Sequence, residues 1–353
     1  VLRQWALNPP PRAELTLVVD RNPAIYSGMV PGFLAGQYTA SDLEIDAVAL
    51  ACQGTRVLVE TVTGINASKR FVLTANGEEI RYDWASLDVG STVAGCDLPG
   101  VADHALLARP IQRLVAGLDL LVKRASALPQ PAPFRLLVVG AGAGGVELAF
   151  CLAARLRREL ERPVFVTLFD RSSAPLFGAP PVLTRRVSRA LARRDIHFRG
   201  SVDVSALDGT NVLLANGDKV EADAVVWVPG PAAHDFLSAT DLPLDRNGFV
   251  RIRSTLQVQR HDRLFAVGDC ASLAGMRKAG VYAVRAGPIL AENLRRALAG
   301  KALRTYEPQS EFLSLLNLGD GTALGIKRGF TFEGRWVMRL KDRIDRRFME
   351  LYQ

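Results

Sequence analysis

The sequence is poor in the residues that carry covalent and metal chemistry. It has four cysteines (Cys52, Cys96, Cys151, Cys270) and four histidines (His104, His197, His234, His261) in 353 residues. No two cysteines stand at C-x-x-C or a related spacing, which argues against a zinc site or a local redox disulfide and points to a reducing compartment. The histidines lack a triad-like setting, so each reads as structural, and no metal ligand set is expected. Cys270 follows Asp269 in a Gly-Asp turn; it reads either as a reactive thiol or, preferably, as a small buried residue. No apolar run reaches the roughly 20 residues of a membrane span, and no signal-peptide pattern opens the chain. Negative charge is in deficit: 36 acidic against 44 basic residues, a formal charge of +8. That balance suits an anionic cofactor, a membrane surface or nucleic acid without choosing among them. Aromatics make up only 7% of the chain and are not interleaved with the basic patches, so nucleic-acid binding is not expected.

What is present points to a folded chain of two or three domains: 48% of residues are apolar and 23% charged. The most informative stretch is 135–150, RLLVVGAGAGGVELAF. The apolar, largely β-branched run Leu136–Val139 predicts a strand. Gly140, Gly142 and Gly145 form G-x-G-x-x-G, and a helical pattern follows from Val146. A glycine triplet alone is weak evidence, but one that follows a strand and opens a helix reads as a dinucleotide loop. Gly140 permits the tight turn, Gly142 lets backbone approach a pyrophosphate, and Gly145 lets helix and strand pack closely. The helix N-terminus offers free N–H groups to phosphate. The next strand, Val164–Phe169, ends at Asp170, which can accept from a ribose hydroxyl. The alternative, an ordinary glycine-rich βα turn, fits the context less well.

The pattern recurs. Residues 1–20 and 151–170 both run from helix to strand and close on Asp-Arg, as Asp20-Arg21 and Asp170-Arg171. VLTANG at 72–77 matches VLLANG at 212–217, and Asp83 and Gly90 follow at the spacing of Asp223 and Gly230. Two copies of one nucleotide-binding unit are therefore expected. In the first, the counterpart of Arg135–Gly145 would precede Val1, so its opening strand and glycine loop are expected to be missing, either because the sequence is a piece of a longer one, the preferred reading, or because the protein has lost its first nucleotide.

Between these landmarks, Asn22–Tyr38 reads as an irregular loop. Thr39–Glu44 resembles a capped helix start. Val57–Val62 reads as a strand, and Asn76-Gly77 as a hairpin turn between Phe71–Thr74 and Ile80–Trp84, with Trp84–Ser91 returning to the sheet. Arg109–Arg124 is an amphipathic crossover helix, and Leu128–Pro133 a proline-rich linker. Thr184–Arg194 carries Arg185, Arg189 and Arg193 on one helix face, either a solvated stripe or a reader of a 2′-phosphate. Leu264–Cys270 predicts a strand ending in Gly268-Asp269, where a carboxylate either meets a ligand at the sheet's C-terminal edge or caps a helix. The tail, Phe330–Gln353, reads as two short strand-like runs followed by a basic amphipathic helix, Trp336–Leu351. Its apolar face carries Val337, Leu340, Ile344, Phe348 and Leu351. Such a helix can lie on a membrane surface or pack on its own sheet or a partner.

Two dinucleotide units, the second inserted into the first, with a late Gly-Asp turn, resemble the pyridine nucleotide-disulfide oxidoreductase superfamily of flavoproteins. GAGAGGVELA (140–149), WVPG (227–230), FAVGDCA (265–271) and KAGVYAVRAGPILAENL (278–294) resemble type II NADH dehydrogenases and sulfide:quinone reductases. YSGMVPGFLAG (26–36), SLDVGS (86–91) and GRWVMRLKDRIDRRFM (334–349) look more like the NADH-dehydrogenase-like flavoprotein associated with selenide, water dikinase. The resemblance implies an α/β fold of two Rossmann-like domains: FAD-binding segments over 1–108 and 233–308, an inserted NAD(P)H-binding domain over 109–232, and a small C-terminal α+β region over 309–353. It implies FAD in the first unit. Asp20, with Arg21, would stand at the adenosine ribose and Val62 at the adenine. Gly268 and Asp269 would stand at the ribityl–phosphate region, Gly280 and Val281 beside the isoalloxazine, and Gly90 at the sheet edge. In the second unit Gly140, Gly142, Gly145 and Gly230 would surround NAD(P)H, with Asp170 on its ribose and Glu147 near the nicotinamide. No cysteine pair accompanies these motifs, so disulfide reduction is not expected.

The expected activity is FAD-dependent NAD(P)H oxidation, with no side-chain nucleophile and with NADH favoured because Asp170 repels a 2′-phosphate. The acceptor is expected to be a quinone or a sulfur or selenium compound. A non-catalytic nucleotide-binding module linked to selenium metabolism is the alternative. The expected setting is the cytoplasm, with peripheral contact at the inner face of the membrane through the C-terminal helix. Homo-oligomerisation is left open.

Overall fold

The computed structural model describes residues 1–127 and 132–352. The expected linker at Leu128–Pro133 therefore falls largely outside the described residues. The second unit is built on a five-stranded parallel sheet in the order Ala105–Leu107, Ala224–Trp227, Phe134–Val139, Val164–Phe169, Ile196–Arg199. A parallel sheet covered on both faces needs strands that are apolar on both sides, and Leu136, Leu137, Val138 and Val139 are all buried. Helices Ile111–Ala127, Ala143–Glu159 and Pro181–Ala192 pack with it, the first burying Leu114, Leu118, Leu121 and Ala125 at helical spacing.

The repeat is reproduced down to register. The first unit's meander of Val62–Asn66, Phe71–Thr74 and Glu79–Arg81 pairs Phe71 with Arg81 and Leu73 with Glu79. The second unit's pairs Asn211 with Glu221 and Leu213 with Lys219. Each meander shifts register once, between Val62 and Gly64 in the first and between Val204 and Ala206 in the second. Gly77 and Gly217 take φ of +86° and +90° in the matching Asn-Gly turns, the left-handed backbone such turns require.

In the first unit, Thr16–Val19 pairs in parallel with Arg56–Val59, and Ala85–Leu87 with His261–Ala266. Among the described residues no ladder joins Thr16–Val19 to Ala85–Leu87. Their counterparts in the second unit, Val164–Phe169 and Ala224–Trp227, both flank Phe134–Val139.

Several local expectations are corrected. Asn22–Tyr38 contains a strand, Ala24–Ile25, and a short helix, Val30–Leu34, opened by Pro31 in its first turn. Thr39–Glu44 starts no α-helix. Asp42 accepts from the Thr39 N–H and hydroxyl at 2.7 Å each, closing a single turn at Ser41–Leu43 before Glu44–Ile45 pairs with Ala24–Ile25. The strand expected at Val57–Val62 is two, Arg56–Val59 and Val62–Asn66. The tail has one strand before its helix, Phe330–Gly334. It completes an antiparallel sheet with Ser314–Asn317 and Ala323–Lys327.

The final helix, Arg335–Met349, buries Val337, Met338, Lys341, Asp345 and Met349. Ile344 and Leu351 are exposed, so the apolar stripe read from the sequence is divided between the protein side and the solvent side. The core is likewise divided. One cluster joins the second unit to Met29, Val30, Leu34 and Leu43, so the 26–43 segment packs on the inserted unit rather than its own. A second cluster gathers Leu87, Leu264, Phe265 and Ala286 of the first unit.

Candidate active site

The glycine loop leads from Phe134–Val139 into the 17-residue helix Ala143–Glu159. Gly140 has φ of +106°, and a Cβ on it would stand 2.4 Å from the Val228 carbonyl oxygen. A Cβ on Gly145 would stand 1.7 Å from the Gly140 oxygen. Both positions thus tolerate no side chain, for the turn and for helix–strand contact respectively. Gly142 differs: a Cβ there would meet no atom within 4 Å. It faces open space at a helix N-terminus that carries no side-chain cap. Free N–H groups beside open space fit a diphosphate.

Asp170 lies at the end of the neighbouring strand, with one oxygen accepting from Ala141 N–H at 2.5 Å and the other from Ser172 N–H at 2.7 Å. The carboxylate ties the loop to the sheet and keeps lone pairs for a further donor. Arg171 turns to Asp203, 3.8 Å away. The arginine stripe of the next helix is partly structural. Arg193 reaches Glu333 at 2.8 Å and Arg194 reaches Asp320 at 2.6 Å, docking the C-terminal sheet on the second unit.

In the first unit, Asp20 is exposed and pairs with its neighbour Arg21 at 2.9 Å. Val62 opens the meander. Gly90 and Gly230 take φ of +68° and +142°, and neither would place a Cβ within 4 Å of another atom. Gly268 has φ of +70°, with the Asp88 carboxylate packed against it. Asp269 is no helix cap. It pairs with Arg109 at 2.9 Å, and Ser91 Oγ approaches at 3.4 Å while also accepting from Arg109. Burial together with the Asp269 charge pushes the Asp88 carboxyl up to about 6, against the pull of the Val1 ammonium. Gly280 and Val281 form the first turn of helix Gly280–Leu298, near Ser27 Oγ. Cys270 is fully buried and its thiol is pushed up to about 12, chiefly by burial, so it is a packing residue.

A cluster the sequence reading missed lies where the inserted unit, the 26–38 segment and the final helix meet. Lys341 donates to Asp345 and to the Gly28 carbonyl, both at 2.8 Å. Tyr26 donates to Asp345 at 3.3 Å and Tyr38 to Asp342 at 2.8 Å. Glu147, two residues past Gly145, accepts from Asn317 N–H at 2.8 Å. Burial pushes Glu147 up to about 6, against the pull of the Lys341 ammonium. Burial opposes the charge on Lys341, but Glu147 and Asp345 outweigh it and raise its pKa. Of these residues the sequence reading singled out only Glu147. The available signal for the others was Lys341 and Asp345 at i, i+4, hidden among the many charges of a basic helix.

Two mononucleotide-type units, one edged by a glycine loop and the other by a Gly-Asp turn, have the fold of two-domain FAD/NAD-binding proteins. A profile of the pyridine nucleotide-disulphide oxidoreductase family matches residues 6–293, and the chain belongs to that family. It is an oxidoreductase of a flavoprotein class that works with FAD and NAD(P)H. The chain is 26% identical over 269 residues to the NADH dehydrogenase-like protein YutJ of Bacillus subtilis, covering 76% of this chain and 71% of that one. An NADH dehydrogenase-like protein of Mycobacterium tuberculosis is 30% identical over 225 residues, 62% of this chain and 56% of its own. Among solved structures, the sulfide:quinone oxidoreductase of Aquifex aeolicus superposes with a TM-score of 0.81 at 17% identity, over 99% of this chain and 87% of its own.

Proposed function

We propose that this chain passes hydride from NADH to FAD and then reduces a quinone-type acceptor. The observation that carries the reading is the meeting, around Glu147, of the open glycine loop, the 26–38 segment and the buried Lys341–Asp345 pair. FAD and the nicotinamide, when bound, supply the hydride chemistry. The chain's part is to hold and orient them. Gly140, Gly142 and Gly145 would receive the nicotinamide nucleotide's diphosphate, and Asp170 its ribose. Asp20 and Asp269, with Gly268, Gly280 and Val281, would receive FAD. NADH is preferred because Asp170 is anionic and Arg171 is drawn toward Asp203. Glu147, pushed up to about 6 by burial, can hold an exchangeable proton beside the Lys341 ammonium, which suits an acceptor that takes up protons on reduction.

A quinone is preferred to a sulfur or selenium compound because neither buried thiol is poised as a thiolate. Cys270 is pushed up to about 12, and Cys151 is raised well above the ordinary thiol value by burial and Glu147. Steady-state NADH oxidation with a water-soluble quinone tests this against a persulfide or selenite acceptor. Faster turnover with either of the latter would reject the quinone assignment, and turnover with none would favour a non-catalytic module.

A peripheral membrane role belongs to the same proposal. No helix among the described residues is long and apolar enough to cross a membrane. Phe330 and Trp336, 78% and 55% exposed, and the exposed Ile344 and Leu351 are spread along a segment whose Arg335, Arg339, Arg343 and Arg347 are also exposed. Apolar side chains flanked by cations suit an anionic lipid surface. Cosedimentation with anionic vesicles should fall when Trp336 and Ile344 are replaced by Glu; equal recovery would remove the membrane from the scheme.

A further inference from the structure

The first unit carries a basic depression that the dinucleotide chemistry does not use. It has a volume of about 300 Å³ and is lined in part by Ser68, Arg70, Tyr82, Arg260, His261 and Arg263. It opens at the start of strand His261–Ala266, whereas Asp269 lies past that strand's other end. At about 3.3 Å per residue, the two sites are roughly 17 Å or more apart.

Four features set it apart from an ordinary charged surface. Arg70, Arg260 and Arg263 are exposed and form no ion pair among the described residues, although Arg263 lies over the Trp84 ring at 5.6 Å. The nearby acids are already engaged. Asp262 pairs with Arg253 at 2.5 Å, and Asp241 accepts from the Ala67 and Ser68 N–H groups at 2.8 Å each. The Tyr82 hydroxyl is buried at the depression with no hydrogen-bond partner among the described residues, an arrangement that costs stability unless water or a ligand satisfies it. Two of its arginines also hold left-handed backbone, Arg70 at φ of +58° and Arg260 at +67°. Glycine would take that conformation more cheaply.

We propose that this depression binds the phosphate group of a phosphorylated small molecule. Arg70, Arg260 and Arg263 supply charge-assisted N–H donors, and the Tyr82 hydroxyl donates to one phosphate oxygen. The planar forks of three guanidinium groups offer more donors than the two oxygens of a carboxylate can use, which favours a tetrahedral oxyanion.

The test is isothermal titration of the intact chain with inorganic phosphate and with pyrophosphate, using sodium chloride of matched ionic strength as control. Saturable binding is expected, weakened at least tenfold in Arg260→Gly and several-fold in Tyr82→Phe. Arg260→Gly removes the guanidinium while relaxing the backbone, so its melting temperature should be unchanged or higher. Failure to fold is therefore not the expected cause of lost binding. Phosphate held instead at the dinucleotide loop would be unaffected by Arg260→Gly and lost in Gly142→Val. That result, or no saturable binding by the unmodified chain, overturns the proposal.

Discussion

Replacing Lys341 with methionine keeps an unbranched apolar stem one atom shorter and deletes one charge. The Lys341 side chain is 10% exposed and that of Asp345 is 7%, so little water is available to take over the lost ion pair. The variant leaves the Asp345 carboxylate without its cation, the Gly28 carbonyl without its donor, and Glu147 without the charge that opposes its burial. Breaking a buried pair by removing one partner costs about 3–5 kcal/mol, a large share of the roughly 5–15 kcal/mol that a domain has. The carboxyls can escape part of that cost by taking up protons. Glu147, already at about 6, moves higher when the ammonium is gone, and each pKa unit is worth about 1.4 kcal/mol. Urea unfolding followed by circular dichroism at pH 7.5 and pH 5.5 reads both effects. The loss at pH 7.5 should be about 3–5 kcal/mol and should shrink by roughly 2 kcal/mol at pH 5.5. Asp345→Asn in the same chain should recover part of it at pH 7.5. A loss below about 1 kcal/mol, or one equal at both pH values, would refute the idea of a charge cluster shielded from water.

Other perturbations separate the two units. A Cβ at Gly142 would meet no atom within 4 Å, so in Gly142→Val stability should hold while NADH affinity falls at least about tenfold; unchanged affinity removes the loop from the nucleotide site. Asp269→Ala frees Arg109 and should lower flavin content without changing nucleotide affinity at the second unit; normal flavin content would remove the Gly-Asp turn from the FAD site. Glu147→Gln tests linkage. The folded carboxyl sits at about 6 against an ordinary 4.5, so the folded state holds the extra proton between those values. Its contribution to stability is present below pH 4.5 and lost as pH rises through 6, a fall of about 2 kcal/mol. The Gln variant should flatten the stability curve across that window, and an unchanged slope there would place the proton elsewhere.

Much of the architecture was legible because its signals are local. The strand, glycine triplet and helix at 134–159 are contiguous, and the paired Asn-Gly turns mark equivalent hairpins whose ladders match pair for pair. The parts that were not legible depend on distant partners. Ala24–Ile25 is a strand only because Glu44–Ile45 returns to it. The arginine stripe at 185–194 could not disclose that Arg193 and Arg194 are met by Glu333 and Asp320, more than a hundred residues away. The final helix misled for a different reason. Periodicity reports that apolar residues recur, but not which of two apolar stripes a helix buries. Here the buried one is shared with Lys341 and Asp345, whose charges satisfy each other and Tyr26. The carboxylate pair Asp88 and Asp269 was likewise half visible: Asp269 follows a glycine at a strand end, whereas Asp88 gains meaning only from packing against Gly268.

The central claim, that the two units together carry hydride from NADH to FAD, is tested most directly by the visible spectrum of the purified protein with FAD supplied, recorded anaerobically before and after NADH. A flavin band that bleaches on addition of NADH is the predicted result. A band that persists with both NADH and NADPH, or no retained flavin at all, would contradict it.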